Sequence, residues 1–71
     1  MSNIFRAASA QATYKELAVR DVRHRAGSFY GDPEGARAFA VRRASERIMS
    51  PPYRRIYIKQ AVHTLQFGMN V

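Results

Sequence analysis

Ser50-Pro-Pro-Tyr53-Arg54-Arg55-Ile56-Tyr57-Ile58-Lys59-Gln60-Ala61-Val62-His63-Thr64-Leu65-Gln66-Phe67-Gly68 decides the fold of this 71-residue chain. Its first third, Tyr53 to Ile58, is β-branched and aromatic and would suit a short strand. The remainder has a helical period: Ile58, Ala61, Val62, Leu65 and then Met69 recur at three- and four-residue spacing. The period continues from the ambiguous part, and no second strand is present for it to pair with. The stretch therefore reads as a helix over about 51–67, with Ser50 as N-cap, Pro51 in the first turn and Gly68 as the stop.

The same punctuation divides the chain upstream. Gly27-Ser-Phe-Tyr-Gly31-Asp32-Pro33 is a helix stop followed by a helix start, with Asp32 as N-cap. A second helix is expected over about 33–49, with Ala40, Val41, Ala44 and Ile48 as a narrow apolar stripe. Phe39 falls on its opposite side beside Arg42, Arg43 and Glu46, an aromatic among arginines that suits a partner anchor. A first helix is expected over about 9–25, preceded by an arm of residues 1–8. Ala10, Tyr14, Leu17, Ala18 and Val22 make its apolar face. The fold class is all-α, two to three short helices joined by Gly/Pro turns in a single small unit.

Size limits this architecture. A chain this short buries only about 60% of its unfolded surface. Large apolar residues are scarce: two leucines, four isoleucines and no tryptophan, with alanine supplying much of the hydrophobic count. No cysteine is present to add a disulfide or a zinc cluster. The expectation is a chain extended over partner subunits instead of an independent compact bundle. The longest uncharged stretch, Gln60 to Val71, is twelve residues and carries five polar side chains. A transmembrane span, which needs about twenty apolar residues, is not expected. No apolar core follows Arg6, so no secretory signal is expected; Met1 to Tyr14, with small residues, serines and no acid, has the composition of a mitochondrial address.

Charge carries the functional signal. Ten of the twelve basic residues are arginine, against five acids, and the net charge is +7. Arginine binds carboxylate and phosphate through a rigid planar fork, so the chain suits a negative partner. The arginines fall into three sets, one per helix, and no block is extreme. Arg54-Arg55 between Tyr53 and Tyr57 is a basic patch with aromatic interleaving, which suits RNA bases and phosphates. It suits acidic protein surfaces and anionic lipid headgroups equally well. His24 and His63 lie on different helices without paired carboxylates, and no glycine-rich phosphate loop occurs. No enzyme activity, cofactor or metal is expected.

Phe5-Arg6-Ala7-Ala8-Ser9, Tyr14 and the closing Val22-Arg23 resemble the opening helix of the epsilon subunit of mitochondrial ATP synthase. Members of that family open on an aromatic, Arg, a small pair and Gly, followed by a tyrosine-containing helix ending in Val-Arg. Phe5 stands where the family has tryptophan, Ser9 replaces the glycine, and a tyrosine before Tyr14 is missing. The likeness covers about twenty residues with a one-residue gap and does not extend to residues 27–71. It implies a helix packed on the central stalk of the catalytic head, with a structural role.

The resulting expectation is a small non-catalytic accessory subunit of a mitochondrial energy-converting membrane complex, ATP synthase or a respiratory-chain complex, peripheral to the inner membrane. The alternative is an organellar ribosomal or other RNA-binding protein. Phe5, Arg6, Tyr14, Arg23, Phe39, Arg42, Arg43, Tyr53, Arg54, Arg55 and Tyr57 are the candidate partner-binding residues.

Overall fold

A computed structural model describes the backbone of residues 3–69 and the side chains of residues 10–69. Among these, three α-helices occur in order: α1 (Asn3–Val22), α2 (Pro33–Ser45) and α3 (Pro51–Phe67). A 3-10 turn over Arg23–Arg25 follows α1. No strand is present among the described residues, and Tyr53 to Ile58 are helical. No helix among them is long and apolar enough to cross a membrane.

α3 is the central element. It packs against α1 and against α2, and the outline is long and flat, 42 × 26 × 16 Å. The helices share one core: Ala18, Val22, Ala36, Ala40, Ala44, Met49, Tyr57, Ala61 and Leu65. Five of these nine are alanine, so the fully buried large apolar side chains are few, Val22, Leu65 and Tyr57, and partly buried ones such as Leu17, Phe39 and Tyr53 pack around them. Val22 and Leu65, both at 0% exposure, each contribute about 1.5–3 kcal/mol of apolar transfer.

Three boundaries differ from the sequence expectation. α1 starts at Asn3, so the segment read as an arm continues the helix. Alanine-rich sequence with no Gly or Pro gives the backbone no reason to stop there. α1 also ends at Val22 and tightens through the 3-10 turn, with Ala26 N–H donating to the Arg23 carbonyl at 3.1 Å. α2 stops at Ser45, short of Met49. There Ser45 Oγ donates to the Arg42 carbonyl at 2.6 Å, and the Arg47 N–H donates to the Ala44 carbonyl at 3.1 Å. This early exit changes the α2 stripe. Ala40 and Ala44 are buried as expected, but Ala36 replaces Ile48 as the third member, Ile48 is fully exposed and Val41 is outside.

The α1–α2 connection is fastened to α3 by its backbone. Gly27 N–H donates to the Thr64 carbonyl at 3.0 Å, and Phe29 N–H to the Leu65 carbonyl at 2.9 Å. Both carbonyls lie in the last turn of α3; that of Thr64 also accepts the Gly68 N–H at 2.8 Å, whereas that of Leu65 is an end-of-helix carbonyl that takes its donor from outside. Gly27 reaches them with a φ of 75°, a conformation that costs an L-residue about 1–2 kcal/mol. At the start of α2, the Asp32 carboxylate accepts the Gly35 N–H at 3.0 Å, the expected cap. A Cβ on Gly35 would lie 2.2 Å from Asp32 Oδ2, so a larger residue there would push the Asp32 carboxylate off its cap position.

Candidate interaction surface

Asp21 was not among the residues singled out from sequence, yet it organises the molecule. It lies on the inner side of α1, next to Val22, and is 8% exposed. Arg47, which leaves α2 where the helix stops, grips it with two hydrogen bonds: Nε to Oδ2 at 2.6 Å and Nη2 to Oδ1 at 2.8 Å. Tyr57 from α3 donates its hydroxyl to Oδ2 at 2.5 Å. Arg43 Nη2 stands 3.9 Å from Oδ1 and also pairs with Glu46. One carboxylate thus joins all three helical segments, and the fork geometry suits it. The Arg47 hydrogen bonds hold the Asp21 pKa below the usual carboxylate range, against the opposing effect of burial. Burial and the Asp21 hydrogen bond push the Tyr57 phenol up to about 12. Only a negative spacing signal could have revealed Asp21: an acid on the buried side of an amphipathic helix, one residue before Val22.

This network corrects the role expected for Tyr57. Its side chain is fully buried, so it is a core residue and not a partner contact. Tyr53 is half-buried and stacks on Tyr14, with ring centroids 4.8 Å apart and 13° between planes. The aromatic interleaving around Arg54-Arg55 is therefore spent inside the chain. Arg54 reaches back to the Met49 carbonyl at 3.4 Å, and Arg55 is exposed. Phe39 is also half-buried, 5.7 Å from Phe29, and Arg25 lies over both rings at 5.3 and 5.5 Å. It is packed against the core and is not a free anchor. Arg43 belongs to the Asp21 network, whereas Arg23 and Arg42 are exposed. Phe5 and Arg6 lie outside the described side chains.

With Arg43 and Arg47 committed to internal acids, the remaining cations define the surface. Three shallow grooves share lining residues and form one connected basic surface. The first lies between α1 and α3 and contains Lys15 and Lys59. The second adds Arg20 of α1 and Arg23 of the 3-10 turn and shares Lys15. The third brings in Arg37 of α2 and Arg55 of α3 and shares Lys59. Six basic side chains from the three helices and the 3-10 turn meet one carboxylate, Glu16, along these linings. Sequence reasoning placed the arginines in three separate sets; the helix packing brings members of each together.

An apolar patch adjoins this surface. Tyr30 and Phe67 are 78% and 57% exposed, and their rings meet edge to face at 6.3 Å. His63, a lining residue of the first groove, packs against Phe67 at 5.3 Å. Large exposed rings beside a polar rim are the composition of a protein contact. Among the described residues, no three His, Cys, Asp or Glu side chains converge as metal ligands. Comparison of the chain with protein-family models, with curated proteins and with solved structures finds no match.

Proposed function

We propose that this chain is a small non-catalytic accessory subunit of a mitochondrial energy-converting membrane complex, ATP synthase or a respiratory-chain complex. The carrying observation is the connected basic surface beside the exposed Tyr30–Phe67 pair. Its action is mechanical. The flat helical body lies over neighbouring subunits, Arg20, Arg23, Arg37 and Arg55 pair with their acidic side chains, and the two rings enter the apolar centre of the contact. The mitochondrial setting rests on the composition of Met1 to Tyr14 and the resemblance of residues 5–23 to the epsilon subunit.

The internal placement of Tyr57 and the Tyr14–Tyr53 stack favour this reading over RNA binding. Together they leave no free aromatic pair beside Arg54-Arg55 on which bases could stack. The test is purification of a tagged chain from mitochondria. Co-migration with ATP synthase or a respiratory complex is expected; co-migration with ribosomal RNA would overturn the proposal and establish the RNA-binding alternative.

A further inference from the structure

The chain has ten arginines and two lysines, and both lysines line the same groove. Lys15 stands on α1 and Lys59 on α3, and the groove between them has a volume of about 480 Å³. That volume is within the range of small-molecule sites. The other lining residues are Gln11, Gln60, His63 and Ile56. Every polar one can donate a hydrogen bond, and no carboxylate is among them. Gln60 Nε2 donates one N–H to Thr64 Oγ1 at 3.3 Å, which orients its amide and leaves a second N–H for the groove. Ile56 supplies a half-buried apolar wall.

We infer that this groove binds an organic phosphate, with the phosphate between Lys15 and Lys59 and a short apolar moiety against Ile56. Residue type supports the assignment. A lysine ammonium binds a phosphate as a point charge with no set geometry, so two lysines on facing helices can close on one phosphate. Among the described residues the carboxylates of Asp21 and Glu46 are gripped by arginine, so both lysines remain available to the groove. The neighbouring Arg20 and Arg23 raise the local positive potential without lining this groove. Phosphate of this kind comes from a soluble ester or from a phospholipid headgroup, and both present the same group to the lysines. The inference concerns the isolated chain and stands apart from its membership of any complex.

The experiment is a titration of the isotope-labelled full chain, followed by amide and side-chain chemical shifts. The probes are phenyl phosphate, inorganic phosphate, vesicles of phosphatidylcholine with phosphatidic acid, and a short single-stranded RNA. Saturable shifts are expected at Gln11, Lys15, Lys59, Gln60 and His63. The Lys15→Gln/Lys59→Gln double variant should bind about a hundred-fold more weakly, since each lost charge-assisted bond is worth about a factor of ten. The control variant Arg42→Gln/Arg54→Gln removes the same charge elsewhere and should leave binding within about two-fold. Saturation by phenyl phosphate in solution would assign a soluble ester; binding only to the phosphatidic acid vesicles would assign a lipid headgroup. Either outcome upholds the site. Absence of saturation by any phosphate probe, equal weakening in both double variants, or RNA-induced shifts spread over all three helices without preference for the groove would overturn it.

Discussion

On the α1 side of α3, contact is made by large and polar side chains: the Tyr14–Tyr53 stack and the buried Tyr57 hydroxyl on Asp21. On the α2 side it is made by Ala36, Ala40 and Ala44, one per turn, which let the two backbones approach closely. The first contact is specific because a stacked ring pair and a buried hydrogen bond have few alternative arrangements. The second has little to fix its register, since an alanine ridge is nearly smooth along the helix. The molecule supplies the missing specificity at the two ends of α2. At one end Arg25 lies over the Phe29 and Phe39 rings. At the other, Arg47 closes on Asp21. The α2 contact therefore borrows its anchor from the α1 contact, and the same carboxylate serves both.

Asp21→Ala attacks both contacts at once and should have the largest effect. It strands the buried Tyr57 hydroxyl and releases Arg47, which can turn toward solvent. The expected cost is about 3 kcal/mol, measured by urea unfolding. The variant should also lose acid sensitivity. The depressed Asp21 pKa contributes stability that is present above the unfolded carboxylate value of about 4 and is lost as pH falls through the folded value. A stability change below about 0.5 kcal/mol would mean that the two contacts are held independently.

Ala40→Leu addresses the α2 contact alone. A larger side chain in the middle of the ridge forces the helices apart and should cost about 2 kcal/mol. The amides of Asp21 and Tyr57 should keep their native chemical shifts if the α1 contact stands by itself. If they move with α2, the two contacts form one cooperative unit.

Tyr57→Phe addresses the α1 contact and should have the smallest effect, about 1 kcal/mol at neutral pH, because Arg47 still pairs with Asp21. Its pH dependence sharpens the comparison. Tyr57 favours the folded state below the unfolded tyrosine pKa of about 10, and this contribution is lost as pH rises toward about 12. The variant should therefore lose less stability than the parent between these two pH values. Denaturant titrations at successive pH values give both curves, and parallel curves would remove Tyr57 as the alkaline-sensitive group.

Much of the architecture was legible because its signals are local. Pro51 and Gly68 bracket α3 at the expected residues, and Asp32 caps α2 as its position before Pro33 suggests. The apolar face of α1 is where the spacing puts it. The early start of α1 is local, but the differences in α2 and α3 are tertiary in origin. Helix ends that depend on a distant partner were misplaced, as where α2 stops at Ser45 and the chain carries Arg47 to Asp21. Aromatic residues were read as outward because arginine adjoined them, yet Tyr57 and Tyr53 follow the inward side of a helix that is covered on two faces. No one-dimensional period distinguishes a helix packed on one face from a central helix packed on two.

Sequence by itself determined that this protein is all-helical, in two to three short helices broken near Gly27–Pro33 and Ser50–Pro52, and that it is basic through arginine. Those properties follow from backbone conformational preference and from side-chain charge, each of which acts at a residue or between near neighbours. Tertiary structure alone decided which charges are available. It withdrew Arg43 and Arg47 to internal acids and gathered Lys15, Lys59, Arg20, Arg23, Arg37 and Arg55 onto one connected surface. Charge acts through space, so residues scattered along the chain become a surface only when packing sets the distances between them.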